Sequence, residues 1–189
     1  MTSMTTVIRH LTMAQLEAGL EKIRQSPRSA GELKMIVRRP DAGIREELET
    51  GELDVGSGLV GDTWRTRRSR LTPDGSPHRD TQLNVMNARV AALVAQDERR
   101  WSLAGDQLFV DLDLSEANLP AGTRLSLGSA VIEVTPQPHT GCGKFISRFG
   151  VDAAKFVNSP LGRELNLRGI NAKVIEGGRI KVGDIVRKG

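Results

Sequence analysis

The feature that most limits how this chain can fold is a set of short apolar-polar alternations separated by glycine- and proline-bearing turns. Leu108, Val110, Leu112 and Leu114 alternate with Phe109, Asp111 and Asp113, the two-residue period of a strand buried on one face. Arg124 to Leu127 and Ala130 to Thr135 read as two more strands joined across Gly128-Ser129, a pair suited to a II′ hairpin turn. Ile170 to Ile175 and Arg179 to Val182 turn at Gly177-Gly178, and Ile185 to Val186 forms a short edge. Nearer the N-terminus, Leu33, Met35 and Val37 alternate with Lys34 and Arg38 as far as Pro40-Asp41, with Ile36 out of phase, and Leu83 to Met86 is a further short strand. Strands this short and numerous need closure to hide their edges. The expected architecture is therefore mainly β with flanking helices, an α+β domain built on a closed or nearly closed barrel.

Helical signals are few. Thr12 and Gln15 form a capping-box pattern ahead of Met13, Leu16, Leu20 and Ile23 at helical spacing, and Ser26-Pro27 stops the run. This amphipathic helix is expected on the outside of the sheet or against a partner subunit. Asn87 is placed to cap a helix through Val90, Leu93 and Val94 to about Asp97, and Val151 to Val157 reads as another, with Ala153, Ala154, Phe156 and Val157 apolar. With 189 residues, 38% of them hydrophobic, the chain supports one core. The expected division is an N-terminal helical extension at 1–30 and the barrel domain at 31–189.

Charge and cysteine content exclude several classes of function. The 27 Lys and Arg residues against 23 Asp and Glu give a formal charge of +4, too modest and too poor in aromatics (3%, no Tyr) for a general nucleic-acid binder. A single cysteine closes no intramolecular disulfide, so a reducing compartment, the cytoplasm, is the expected setting. No secretory signal pattern opens the sequence, and no stretch approaches the roughly 18 apolar residues of a membrane span, so no membrane partner is expected.

The densest chemistry lies in Pro136-Gln137-Pro138-His139-Thr140-Gly141-Cys142-Gly143-Lys144. The prolines end the preceding strand and stiffen the approach to the thiol, and Gly141 and Gly143 clear space around it. His139, Lys144 and Arg148 are cations that favour the thiolate a nucleophile or soft-metal ligand needs. The alternative, common for a lone cysteine, is a buried and inert thiol. Upstream, Gly51, Gly56, Gly58 and Gly61 lead into Asp62, and Arg65 to His78 reads as an exposed loop carrying Arg65, Arg67, Arg68 and Arg70. Such a run is either a solvated basic surface or an anion site. Asp62 and Asp106 are either pocket residues or turn formers. No His, Cys and Asp spacing suggests zinc, and one cysteine holds no iron–sulfur cluster.

Taken in order, these segments resemble the MOSC family, named for the C-terminal domain of molybdenum-cofactor sulfurase. The resemblance is carried by Leu119-Pro120-Ala121-Gly122-Thr123-Arg124-Leu125, Leu127-Gly128, Val131-Ile132-Glu133-Val134-Thr135 and the approach to Cys142-Gly143-Lys144. Gly58-Leu59-Val60-Gly61-Asp62 resembles the family's Gly-x-x-Gly-Asp element, and Gly105-Asp106-Gln107-Leu108 stands where it carries a Gly-Glu-Asn-Leu type motif. The match runs roughly from Leu33 to Lys188. It departs where many members have Pro-Arg-x-Pro-Cys, since this chain has Pro138-His139-Thr140-Gly141-Cys142.

The resemblance implies a MOSC-type β-barrel that binds the molybdenum cofactor, molybdopterin, or handles sulfur destined for it. Cys142 would be the metal ligand or the catalytic, sulfur-carrying residue. Arg65, Arg67, Arg68, Arg70 and Arg148 would neutralise the anionic cofactor, with Asp62, Asp106, His139 and Lys144 as further cofactor-binding positions. The sulfurase's pyridoxal-phosphate domain has no counterpart, so no pyridoxal phosphate is expected on this chain. Three roles stay open: a small oxidoreductase component served by an electron-donor protein, or a cofactor sulfuration module; a persulfide carrier without molybdenum, served by a sulfur donor; and a structural protein that keeps the barrel alone. The persulfide carrier predicts an exposed thiol without a deep basic pocket, and the structural protein a buried one.

Overall fold

The computed structural model describes residues 8–189. Met1 to Val7, the first part of the expected helical extension, lie outside the described residues. Thr12 opens the fold with the capping box expected from its spacing to Gln15, starting α1 (Met13–Ala18), and α2 (Leu20–Arg24) follows across Gly19. Then come β1 (Ala30–Arg38), β2 (Glu46–Leu48), β3 (Thr50–Asp54) and β4 (Gly58–Leu59). After the arginine-bearing loop, β5 (Leu83–Asn87) runs directly into α3 (Ala88–Ala95). Beyond β6 (Leu108–Asp111), β7 (Arg124–Leu127) and β8 (Ala130–Val134) lie three helices, α4 (Gly143–Phe149), α5 (Val151–Asn158) and α6 (Pro160–Glu164). The remaining strands are β9 (Ile170–Glu176), β10 (Gly178–Lys181) and β11 (Ile185–Lys188).

Seven strands close into a barrel in the order β1-β6-β5-β9-β8-β7-β11, with β11 returning to pair with β1. Every pairing is antiparallel except β5 with β6, whose connection crosses over through α3 and a 3-10 helix at Glu98–Ala104. One edge of β1 is shared: Ala30 to Glu32 pair with β11, and Ile36 to Arg38 with β2. Strands β10, β3 and β4 form a small second sheet whose Leu53, Leu59 and Ile180 belong to the same core as the barrel interior. Gly128 sits at φ +55° in the β7–β8 turn while Ser129 keeps a negative φ, as a II′ turn requires.

A bulge in β1 explains why Ile36 falls out of phase. Leu33 pairs with Val110 and Met35 with Phe109, so Lys34 is an extra residue and the inward face shifts by one. Leu33 and Ile36 then point into the barrel beside Leu108 and Val110, whereas Met35, Val37 and Phe109 point outward. The outward set forms a second apolar core with Leu16 and Ile23 of α1 and α2, Val90 and Val94 of α3, Phe145 and Phe149 of α4, and Phe156 and Val157 of α5. Leu16 is fully buried there, so the N-terminal helices are peripheral in position yet close this core. Hydrogen bonding in β6 stops at Asp111, short of the expected Leu114, because Asp113 N–H turns to Pro27 O (2.7 Å); Leu112 and Leu114 nevertheless keep the inward alternation. Among the described residues, no helix is long and apolar enough to cross a membrane.

Candidate functional site: a thiol at the mouth of an arginine-lined cleft

The segment between β8 and α4 is held at both ends by asparagines. Asn171 of β9 donates from Nδ2 to the carbonyls of Gln137 (3.0 Å) and Pro138 (3.2 Å), and Asn84 of β5 donates to Asn171 Oδ1 (2.7 Å). Asn158, at the end of α5, accepts from Gly141 N (2.9 Å) and donates to Gly141 O (3.1 Å). Cys142 therefore stands at a fixed place, as the exposed residue that opens α4. Its sulfur faces the N–H groups at the start of that helix without closing a capping hydrogen bond. Partial burial pushes the thiol up, but the Phe145 and Lys144 amides and the charge of Arg168 outweigh it and leave the thiol below its ordinary range.

Two buried carboxylates sit behind this thiol, each holding an arginine. Asp106 is fully buried, and its Oδ2 accepts from Arg168 Nη1 at 2.6 Å. Arg168 also donates to Ala104 O (2.8 Å) and lies 5.0 Å over the Phe145 ring, while its Nε is buried with no partner. Burial pushes the Asp106 carboxyl up against the pull of Arg168 and Arg39. Asp62 clamps Arg39 in a two-pronged pair, Oδ2 to Nε and Oδ1 to Nη2 at 2.8 Å each, and accepts from the backbone of Arg39 and Trp64 as well (3.0 Å each).

His139 is also packed in, its Nδ1 at 3.5 Å from Asp106 Oδ1, and neither atom has a hydrogen-bond partner. Burial, then the charges of Arg168 and Arg39, hold its imidazole well below the usual range, so it is neutral. His139 was expected as a cation beside the thiol; the structure puts the charge of Arg168 there instead. Gly169, at φ +115°, makes the approach feasible, since a Cβ there would lie 2.4 Å from Val85 O and 3.3 Å from both Asp106 Oδ1 and His139 Nδ1.

These groups surround a cleft with two lobes that share Arg39, Arg67, Asn84 and His139. The larger, about 560 Å³, contains Cys142 with Arg39, Arg45, Arg67, Lys144, Arg148 and Arg168, and among the described residues Asp41 is the one carboxylate lining it. Burial lowers the Arg45 guanidinium's proton affinity, and its neighbours Arg148 and Arg39 lower it further against a smaller opposing pull from Asp62. The smaller lobe, about 310 Å³, is walled by Trp64, Arg68, Ser69 and His78 beside the shared residues. His139 and Arg168 also wall a third cavity of about 380 Å³ together with Pro138, Val157 and Ile170.

Of the residues picked out in the sequence, Cys142, Lys144, Arg148, Arg67 and His139 line the larger lobe, and Arg67, Arg68 and His139 the smaller. Arg65 and Arg70 line neither; the charge of Arg65 acts on Asp54 instead. Asp62 and Asp106 lie beneath the cleft as anchors for Arg39 and Arg168. Those two arginines and Arg45 were not picked out. Arg168 has no motif around it, and only the fold brings it to Asp106 across sixty residues of chain.

A closed mixed barrel of seven strands, helices over one flank and a thiol beyond the β7–β8 hairpin define a MOSC-type α+β protein. The profile of the MOSC domain family matches residues 80–187, more than half of the chain, and the chain belongs to that family. No curated protein matches it closely enough to serve as a relative. Among solved structures it is similar to YuaD from Bacillus subtilis, with a TM-score of 0.60 and 18% identity over 83% of this chain and 94% of that one. It is also similar to YiiM from Escherichia coli, with a TM-score of 0.53 and 19% identity over 84% of this chain and 69% of that one. YiiM from Geobacillus stearothermophilus gives a TM-score of 0.53 and 14% identity over 87% and 74%. At these identities the likeness is one of fold.

Proposed function

We propose that this MOSC protein binds the molybdenum cofactor in the arginine-lined cleft, with Cys142 as the chain's ligand to the metal or the carrier of its sulfur. The observation that carries this reading is an exposed thiol, shifted toward thiolate, at the mouth of a lobe lined by six cations and a single carboxylate. The donor set fits the group. Guanidiniums suit the phosphate and dithiolene anions of molybdopterin, and the buried, unpartnered Nε atoms of Arg45 and Arg168 await acceptors. Among the described residues no three His, Cys, Asp or Glu side chains gather as a metal cage, so a metal at Cys142 brings its other ligands with it.

When bound, the cofactor supplies a thiophilic metal centre that exchanges electrons and oxygen or sulfur atoms. The chain's own part is positional and electrostatic. Asn158 and Asn171 fix the loop, Arg168 and the α4 amides favour the Cys142 thiolate, and Arg45 and Arg148 neutralise the anion. An electron-donor or sulfur-donor protein completes either role. The exposure of Cys142 suits a second reading, a persulfide carrier to which a partner gains direct access, but the basic lobe around the thiol counts against it. Metal and pterin analysis of protein purified from a host that makes the cofactor decides between them. Near-stoichiometric molybdenum, lost in Cys142→Ser, supports the first; metal-free protein with cyanide-labile sulfur supports the second.

A further inference from the structure

Position 139 is where the chain leaves the family pattern, and it replaces an arginine, which keeps its proton, with a group that gives and takes one. The His139 ring stands between the Cys142 cleft and the third cavity and lines both. Its side chain is 15% exposed, whereas that of Asp106 beside it is fully buried. Nδ1 is buried too, but Nε2 is neither buried nor bonded to a protein group among the described residues. Nε2 is thus the nitrogen that meets whatever enters the cavities.

Asp106 Oδ1 and His139 Nδ1 lie 3.5 Å apart, each without another partner. That is longer than an ordinary hydrogen bond, yet two unmet polar atoms in one buried spot carry a cost that a single proton between them reduces. The proton has two placements. On Asp106, where burial favours it, it would be donated to a bare Nδ1 and leave Nε2–H toward the cleft. It would also deprive Arg168, buried and 2.6 Å from Oδ2, of its counter-charge. An ionised Asp106 keeps that pair, accepts from Nδ1–H and leaves Nε2 bare. The surroundings hold the ring in this pose: Asn171 ties down the Pro138 carbonyl before it, and Gly169 has no Cβ to push between the two side chains.

We propose that Asp106 and His139 form a proton-accepting dyad, in which Asp106 fixes the Nδ1–H tautomer and the bare Nε2 takes the proton of a hydroxyl, thiol or amine on a ligand held beside Cys142. The ligand atom keeps the electron pair, Nε2 gains the proton, and the imidazolium so formed is steadied by Asp106 until the proton returns to product or passes to water in the third cavity. His139 is the catalytic residue in this step and Asp106 a positioning residue. Burial and the charges of Arg168 and Arg39 keep the ring uncharged beforehand, so its lone pair is free at neutral pH. The same charges weaken it as a base, and Asp106 is the group that offsets them. The proposal rests on the cleft reading above for the ligand that gives up the proton. The dyad itself needs no metal.

The test uses metal-free, full-chain protein labelled with nitrogen-15 histidine. The three histidines give separate proton–nitrogen correlation patterns, and His139→Gln identifies the one from position 139 by its loss. That pattern is expected to show a protonated Nδ1 and a bare Nε2. Diethyl pyrocarbonate acylates a bare imidazole nitrogen that it can reach, through the same lone pair that would take a proton. It is expected to modify His139 in the folded protein, as mapped by peptide mass. In Asp106→Asn the side-chain amide can donate to Nδ1, so the tautomer should flip to Nε2–H and the modification should slow by about tenfold or more, with His10 and His78 unchanged. That variant also unpairs Arg168; if it does not fold, the wild-type tautomer and labelling decide alone. An Nε2–H tautomer in the wild type, a His139 modified only after unfolding, or a folded Asp106→Asn protein with wild-type tautomer and rate overturns the proposal. Molybdenum and pterin content is measured separately, so failure of the dyad and failure of the cofactor reading give different results.

Discussion

Removing the carboxylate of Asp62 tests whether the floor of the cleft is built the way its geometry indicates. In Asp62→Ala, Arg39, itself 3% exposed, loses both prongs of its ion pair and keeps only Asn84 Oδ1 (3.2 Å) and Gly105 O (2.9 Å) as acceptors. The backbone N–H groups of Arg39 and Trp64 lose their acceptor at the same time, while Gln107 keeps Gln82 O. Breaking one side of a buried pair leaves an uncompensated charge and costs about 3–5 kcal/mol, of which the lost cap at Trp64 is about 1 kcal/mol. For a chain of this length that corresponds to a fall in Tm of about 6–20 °C. The measurement is urea unfolding followed by circular dichroism, with the midpoint falling and the slope unchanged. Burial acts to raise the Asp62 carboxyl, but hydrogen bonds and charge from Arg39 more than offset this, so its folded pKa lies below the ordinary value. Its stabilisation is therefore full above the unfolded pKa and is lost as pH falls through the lower, folded one. The difference between wild type and Asp62→Ala should accordingly shrink in strong acid. A loss under about 1 kcal/mol at neutral pH would refute the reasoning, because an exposed pair costs no more than that.

Other substitutions probe separate parts of the fold and site. His139 is held neutral by burial and then by Arg168 and Arg39, so below about pH 6.5 the unfolded chain takes up a proton that the folded one refuses. Stability should fall by about 1.4 kcal/mol per pH unit through that window, and His139→Gln should flatten the slope in urea titrations from pH 7 to 5; equal slopes would remove the argument. Iodoacetamide should alkylate Cys142 in the folded protein with a midpoint below the ordinary thiol value of about 8.5, and reaction only after denaturation would sink this. Leu16→Ala, which empties a fully buried position under α5, should cost about 2–5 kcal/mol; a surface-like loss below about 0.5 kcal/mol would show that α1 is dispensable.

What could be read from the sequence was local. The Thr12–Gln15 box, the Asn87 cap and the Gly128-Ser129 turn each depend on residues within three positions of one another, and each is in the structure. The shift of phase in β1 was visible as a misplaced Ile36 but not interpretable, because a bulge is defined by the partner strand, here Phe109 and Val110. Helix α4 did leave a signal in Phe145 and Phe149 at i and i+4, and α6 one in Ser159-Pro160, a cap followed by proline at the first helical position. The basic loop gave four equivalent arginines, and only the folded structure sorts Arg67 and Arg68 into the cleft and Arg65 and Arg70 out of it. Arg39 and Arg168 were not singled out, because their carboxylates lie 23 and 62 residues away along the chain.

The seam between β1 and β11 sets a kinetic demand. It joins Ala30 to Arg187, Gly31 to Val186 and Glu32 to Ile185, so the ring shuts only when segments from opposite ends of the described chain meet. Such a contact has the largest loop to close and the least local help in closing it, which makes it a slow step in folding. Until it forms, β1 and β7 present bare edges of unpaired amides and carbonyls, and a second unfinished chain is as good a partner for them as β11. Refolding yield should thus fall with protein concentration well before native stability changes, with strand exchange between copies as the competing outcome.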